Sequence, residues 1–73
     1  MKSAPTPQFI LGRNVVQLRA AAGWTQEKLA ERAGLSWRYL QEIESGFANA
    51  SLAVLTQLRQ ALDCTWDELL SGR

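Results

Sequence analysis

The stretch that decides the fold is Gln26–Ser45, QEKLAERAGLSWRYLQEIES. It predicts a short helix, a turn at Gly34 and a second short helix. Gly34 stands where the first helix should end, because glycine takes the left-handed conformation there without steric cost. Leu35 follows as an apolar plug, and Ser36 follows as an N-cap. Ala30 is small enough to let the two helices cross at close range, where a larger side chain would hold them apart.

These offsets predict a helix-turn-helix. The apolar positions of the two helices would face a common core, and they are Leu29, Ala30, Ala33, Leu40 and Ile43. Such a motif usually places its second helix in the major groove of DNA. Binding to double-stranded DNA is therefore the first functional expectation.

Four predicted helices open with the same local device. A hydroxyl N-cap follows an apolar or small residue and precedes a leucine four positions later, which is the hydrophobic staple. The four caps are Thr25, Ser36, Ser51 and Thr65. With a helical pattern over about residues 9–22, they predict an all-α domain of five helices over residues 9–71, after a flexible arm at residues 1–8.

The last two helices supply more apolar surface than one small domain needs. We expect the fourth helix to bury a leucine face consisting of Leu52, Leu55, Leu58 and Leu62. A second apolar stripe on that helix and the short fifth helix would then be free to receive a partner. This predicts a homodimer whose interface contains Val54, Ala61, Trp66, Leu69 and Leu70.

Composition narrows the function classes. The 73 residues contain no histidine and one cysteine, so we expect no zinc cluster, other metal site or disulfide. There is no glycine-rich phosphate loop, and Cys64 has no base to activate it, so we expect neither an enzyme nor a cofactor. Cys64 is interpreted as a small apolar core residue. The net charge is only +1, so DNA binding would depend on geometry and a few charges.

The same composition predicts a cytoplasmic protein. No apolar run approaches the roughly 18 residues of a membrane span. Residues 1–8 contain two prolines and no apolar centre, unlike a secretory signal. We also expect no small-molecule ligand, because no separate sensing domain is evident.

The third helix is expected to have one buried and one free face. Successive helical residues lie about 100° apart around the axis. The buried side would then contain Ser36, Leu40, Ile43 and Phe47, and the free side Arg38, Gln41, Glu42 and Ser45. Guanidinium, amide and carboxylate groups can read guanine, adenine and cytosine respectively. An isolated helix would more simply have a solvated polar face, but a helix-turn-helix displays this face to DNA.

Residues at the edges of this face have more than one possible role. Trp37 could pack against the second helix, touch a thymine methyl or sugar, or meet a protein partner. Tyr39 could pack or donate to a phosphate. Gln26 and Thr25 lie at the start of the second helix, where free amides attract phosphate. Asn49 is either a further backbone contact or a simple turn residue.

Arg19 and Glu44 are predicted to form a partly buried ion pair. Arg19 lies near the end of the first helix, and Glu44 lies between the two faces of the third helix. Such a pair would make Arg19 a structural residue that ties the two helices together. The alternative is two solvated charges that contribute little to stability.

Nearly the whole chain resembles the Cro/C1-type (XRE) helix-turn-helix domain. The resemblance rests on Leu11-Gly12, Val15, Leu18-Arg19, Gly23, Thr25-Gln26, Leu29-Ala30, Gly34-Leu35-Ser36, Ile43-Glu44-Ser45-Gly46, Asn49, Ser51-Leu52, Leu62 and Trp66-Asp67-Glu68-Leu69-Leu70. It implies a five-helix repressor-like fold, commonly dimeric. It also implies phosphate contact at Gln26, base contacts at Trp37, Arg38 and Glu42, and an ion pair between Arg19 and Glu44.

Three positions depart from the family pattern. Phe47-Ala48 stands where relatives often carry basic residues, Ala50 replaces a frequent proline, and Trp37 occupies a commonly polar position. The leading hypothesis is a transcriptional regulator that binds a near-palindromic operator as a homodimer. The alternative is a protein-interaction or antitoxin-like module that keeps the fold and binds DNA weakly.

Overall fold

The computed structural model describes residues 5–72, which form an all-α domain, as the sequence predicts. Its five helices are α1 Pro7–Ala21, α2 Gln26–Ala33, α3 Trp37–Ser45, α4 Leu52–Leu62 and α5 Trp66–Leu70. Within this described part of the chain, every helix is too short or too polar to span a bilayer.

The four predicted N-caps are confirmed. The side chains of Thr25, Ser36, Ser51 and Thr65 each accept a hydrogen bond from the backbone amide three residues later. At α5 the capping box is complete, because Glu68 Oε1 also accepts from the Thr65 amide at 2.8 Å. Each such cap stabilises its helix by about 1 kcal/mol.

A fifth cap corrects the predicted arm. Thr6 accepts from the Phe9 amide, and α1 begins at Pro7. Proline suits this position, because its fixed φ is already helical and the amide that it lacks would have no helical partner. Residues 7 and 8 therefore belong to the helix. Residues 1–4 of the predicted arm lie outside the described residues.

The turn between α2 and α3 is built as the sequence predicts. Gly34 is left-handed, with φ at 71°, and ends α2. The Leu35 amide then donates to the Ala30 carbonyl at 2.9 Å. Ala30 is buried, together with Leu29 and Ala33 from the same helix. The turn thereby fixes the angle at which α3 leaves the core.

The backbones of α1 and α3 approach each other closely at Gly12. A Cβ added at Gly12 would meet the Ile43 carbonyl oxygen and lie 2.8 Å from that of Glu44. Backbone oxygens cannot swing aside as flexible side chains can. Glycine at this position therefore lets α3 rest directly on α1.

Three residues predicted to be buried are instead exposed. Phe47 is 86% exposed, because α3 ends at Gly46 in the left-handed conformation and helical spacing no longer applies beyond it. Ala48 is the residue that turns inward there. Leu52 is 72% exposed, because it lies six residues before the buried Leu58, about 120° away around α4. Ser36 is also exposed as the N-cap of α3.

The α5 helix is held against α1 by a buried asparagine. Asn14 Nδ2 donates to the backbone carbonyls of Leu69 and Ser71, each at 2.8 Å. These carbonyls lie at the end of α5, where a helix leaves its last acceptors without internal partners. One side chain therefore docks the last helix and satisfies its terminal acceptors.

Candidate nucleic-acid interface

The outward face of α3 is free within the described chain. The side chain of Arg38 is 90% exposed and that of Glu42 is 49% exposed. Gln41 and Ser45 are also exposed on the same helix. Arg38 Nε lies 3.8 Å from Glu42 Oε2, a loose pair one helical turn apart. The face thus offers a guanidinium, an amide and a carboxylate.

One flank of α3, between its buried and outward faces, is fastened to α1 by the ion pair that the sequence predicts. Arg19 Nε donates to Glu44 Oε2 at 2.7 Å, and Arg19 Nη2 donates to Glu44 Oε1 at 3.2 Å. The side chain of Glu44 is 5% exposed and that of Arg19 is 18% exposed. Arg19 Nη1 also donates to the Trp24 carbonyl at 2.9 Å, so the guanidinium also reaches the loop before α2.

The ion pair continues into a chain of hydrogen bonds that reaches the outward face. Gln26 Nε2 donates to Glu44 Oε1 at 2.8 Å. The other end of the same amide accepts, because Trp37 Nε1 donates to Gln26 Oε1 at 3.1 Å. The first residue of α3 is therefore connected to the buried ion pair through the first residue of α2. We call this set, Arg19, Glu44, Gln26 and Trp37, the bracing chain.

Trp37 contacts the second helix, which is one of the roles left open by the sequence, and its contact with DNA or with a protein partner stays a prediction. Its indole N–H bonds to α2, yet the residue is 49% exposed. It stands at the edge of the outward face, one turn before Gln41. Gln26 is likewise committed at both ends of its amide, so its side chain is a structural link in addition to its place at the start of α2.

The predicted backbone-contacting residues lie around this face in different environments. Thr25 caps α2 by accepting from the Lys28 amide. Ser45 Oγ donates to the Glu42 carbonyl at 3.0 Å, and Tyr39 is partly buried against the core. Asn49 is exposed in the loop after α3, where its Oδ1 accepts from Gln8 Nε2 at 3.4 Å.

The residues predicted for a dimer interface divide into three groups. Leu69 is fully buried within the chain, so it has no exposed surface to offer a partner, and that expectation is wrong. Val54 and Ala61 are half-buried and pack against the core, because the inward direction of α4 falls between them and the leucines. Trp66 and Leu70 remain 40% and 45% exposed, four residues apart on α5.

Sequence reasoning missed several residues that position the site. Gly12 lets α3 approach α1, and the Trp24 carbonyl is a further acceptor for Arg19. Asn14 had a usable signal, because it interrupts an otherwise apolar helical stripe containing Leu11 and Val15. Nothing in the sequence indicated the bond between Gln26 and Trp37, since it depends on side-chain rotamers.

The arrangement can serve DNA recognition in two ways. The outward face of α3 carries donors and an acceptor of the kinds that base edges pair with. The N-terminus of α2 lies beside it, and the first amides of a helix favour a phosphate. A rigid reading helix next to an anion-binding helix start is the geometry of helix-turn-helix readers.

Comparisons with known proteins agree with this geometry. The family model described as helix-turn-helix matches residues 15–69. An HTH-type transcriptional regulator of Sinorhizobium fredii, y4dJ, is 37% identical over 85% of this chain and 80% of its own. The restriction-modification controller protein C.AhdI of Aeromonas hydrophila superposes with a TM-score of 0.81 and 37% identity, over 85% of this chain and 94% of that chain.

A second solved structure covers the fold more fully. The clp gene regulator ClgR of C. glutamicum gives a TM-score of 0.91 at 29% identity, over 99% of this chain and 92% of that chain. The family match includes all of α2, α3 and α4, which together contain the reading face and its turn. The chain therefore belongs to the Cro/C1-type (XRE) helix-turn-helix family of DNA-binding transcriptional regulators.

Proposed function

We propose that the protein regulates transcription by inserting α3 into the major groove of a specific DNA sequence. The observation that carries the proposal is the free face of α3 on a helix braced from behind. Arg38, Gln41 and Glu42, with Trp37 at the edge, would contact bases. Thr25, Gln26, Tyr39, Ser45 and Asn49 would contact the sugar-phosphate backbone on either side.

The weak net charge makes geometry important to this proposal. A chain with eight basic and seven acidic residues gains little from general attraction to phosphate. Affinity must then come from well-placed contacts, and two copies acting together would double their number. A symmetric pair would hold its two α3 helices about 34 Å apart, one turn of the duplex, on a near-palindromic operator.

Selection from a random duplex pool tests the reading face. We expect enrichment of a near-palindromic sequence, which is then bound by the wild-type protein in a titration. Arg38→Ala should weaken that binding by about 10- to 100-fold, the value of one good base contact. Glu31→Ala removes an exposed charge from α2 and serves as the surface control. Failure of the pool to enrich any sequence at low salt would overturn the proposal.

The dimer is proposed to form through α4 and α5, around the exposed face of Trp66 and Leu70. Two apolar side chains one turn apart on a helix of five residues give a patch suited to a symmetric partner. Sedimentation equilibrium should detect a dimer at micromolar concentration, and Leu70→Lys should shift it to monomer with unchanged helical circular dichroism. A wild-type protein that stays monomeric at high micromolar concentration would contradict this interface.

A protein-interaction module is the second candidate, and the exposure of Phe47 favours it. This large apolar side chain lies outside the predicted dimer surface and adjacent to α3. Under this alternative, Phe47→Ser would abolish partner binding, whereas Arg38→Ala would leave it mostly intact. A DNA titration in which Arg38→Ala weakens operator binding and Phe47→Ser leaves it mostly intact supports the regulator instead.

A further inference from the structure

We propose that Trp37 reads the C5-methyl group of a pyrimidine in the major groove. Each half-site would then carry thymine, or 5-methylcytosine, at the position facing the start of α3. This inference rests on the proposed function, because it requires α3 to lie in the groove. It adds the chemical group that one side chain recognises.

The indole of Trp37 has no polar group left to offer a base. Tryptophan has a single side-chain donor and no acceptor. In this chain Nε1 already donates to Gln26 Oε1 at 3.1 Å. The exposed half of the ring is therefore a carbon edge.

The hydrogen bond from Trp37 to Gln26 is not easily exchanged for one to DNA. Gln26 Nε2 donates to Glu44 Oε1 at 2.8 Å, so its amide oxygen faces the indole. Flipping the amide would bring two donors together at Trp37 and two acceptors together at Glu44. Glu44 is itself held by Arg19 at 2.7 Å. The bracing chain thus fixes both the direction of the amide and the position of the ring.

The exposed carbon edge of Trp37 suits an apolar feature of a base. The base edges in the major groove present hydrogen-bond donors and acceptors, and one apolar feature, the pyrimidine methyl group. Covering a donor or acceptor with carbon would leave it without a partner and cost free energy. Covering a methyl group instead removes apolar surface from water. Methylated pyrimidine is therefore the base feature that Trp37 favours.

The neighbouring side chains leave this role to Trp37. Arg38 and Gln41 extend from the adjacent positions of the same face and retain exposed polar groups. Those groups suit purine edges, which carry the acceptors and donors that they pair with. Arg38 and Gln41 beside the apolar ring of Trp37 would together distinguish a base step that contains thymine from the same step without the methyl group.

The test replaces single thymines by uracil in the operator enriched from the random pool. Fluorescence anisotropy with labelled duplexes then measures the dissociation constant. Burying one carbon group changes binding by about fourfold. Uracil in place of the thymine that Trp37 contacts should therefore weaken binding about fourfold in one half-site and about 15-fold in both. Changing that pair to cytosine–guanine should weaken binding further, and 5-methylcytosine should recover about fourfold of the loss. The uracil duplexes thus measure the contribution of the thymine methyl group, and the 5-methylcytosine duplexes measure that of a methylated cytosine.

Variants assign the effect to Trp37. Trp37→Gln should remove the preference for thymine over uracil, whereas Trp37→Phe, which keeps a carbon ring, should retain most of it. Gln26→Leu should reduce the preference by releasing the indole. Arg38→Ala should weaken binding to both duplexes and leave their ratio unchanged. Circular dichroism of each variant checks that the overall helical content is unchanged. If Trp37→Gln does not fold, the uracil replacements and Gln26→Leu keep the test decisive.

The outcomes distinguish this inference from the function beneath it. A pool that enriches no sequence overturns the proposed function and this inference together. An enriched operator at which every uracil replacement changes binding by less than about 1.5-fold overturns the methyl-reading role alone. A thymine preference that survives in Trp37→Gln also overturns it, because another residue must then contact the methyl group.

Discussion

At the residue scale, the most consequential side chain is Glu44. It is nearly buried and accepts from two residues, Arg19 and Gln26, that come from different helices. A buried carboxylate is tolerated only when its oxygens are paired, since leaving it unpaired carries a large desolvation cost. This residue therefore links the stability of the fold to the orientation of the reading helix.

Arg19→Ala should destabilise the protein strongly. The change leaves Glu44 with Gln26 as its remaining partner and removes the donor to the Trp24 carbonyl. Breaking one side of a buried pair costs about 3 kcal/mol in the free energy of unfolding, measured by urea denaturation. Arg38→Ala is the matched control, because its pair with Glu42 is exposed and should contribute less than about 0.5 kcal/mol. Equal stability of the two variants would refute a structural role for the buried pair.

Cys64 should be a poorly reactive thiol in the native protein. Burial raises its pKa above the ordinary value, and the nearby Glu68 carboxylate adds to the rise. At pH 8 the native protein should react slowly with a thiol reagent, and the urea-unfolded chain quickly. Because the native thiol ionises at higher pH than the unfolded one, stability should fall as the pH rises above the ordinary thiol pKa. Equal labelling rates in the two states would contradict the raised pKa.

At the scale of elements, short helices are positioned by specific polar contacts as well as by apolar packing. The α5 helix has only five residues, too few to be stable alone. Leu69 anchors it in the core, and Asn14 pairs its terminal carbonyls. Docking of α5 therefore depends on a residue 55 positions away in the sequence.

Asn14→Leu should loosen α5 specifically. The substitution keeps a branched side chain at this position but removes the amide, which leaves the Leu69 carbonyl buried without a partner, at a cost of about 1–3 kcal/mol. Hydrogen exchange should show faster exchange of the α5 amides while those of α2 and α3 stay protected. Exchange that rises equally in all helices would indicate general unfolding and contradict this local role.

The sequence predicted helix starts better than side-chain destinations. Caps are local, so Ser51 and Thr65 could be recognised from their neighbours. Phe47 and Leu52 were wrongly predicted to be buried. For Phe47 the helical repeat was extended beyond Gly46, and for Leu52 it was extended across six residues of α4. The free face containing Arg38 was also predictable, since periodicity fixes its direction. The bond from Trp37 to Gln26 was not, because it joins side chains from separate helices.

At the scale of the whole molecule, near-neutral charge limits how strongly DNA binding can depend on salt. The proposed dimer would place few cations near phosphates, and the pairing of Arg38 with Glu42 reduces that number further. Helix starts can bind phosphate through amides, which release fewer counterions than lysine or arginine. Salt sensitivity therefore measures the balance between the two kinds of contact.

The salt dependence of operator binding should be shallow. With about three to five phosphates neutralised per dimer, the logarithm of the association constant should fall with that of salt concentration at a slope of about −3 to −5. Titrations at several potassium chloride concentrations provide the slope. The unselected duplex is the control and should lose its weak binding over the same range. A slope near −10 would require many more cationic contacts than this face contains.

The bracing chain divides the reading face into fixed and interchangeable positions. Arg38 and Gln41 hold no other helix in place, so a library varied at these two positions should yield proteins with altered operator preference and nearly unchanged stability. Trp37 and Gln26 are joined to the buried ion pair, so substitution there changes contacts within the protein along with base choice. Retargeting this scaffold to new DNA sequences is therefore easiest at Arg38 and Gln41, with Trp37 and Gln26 left unchanged.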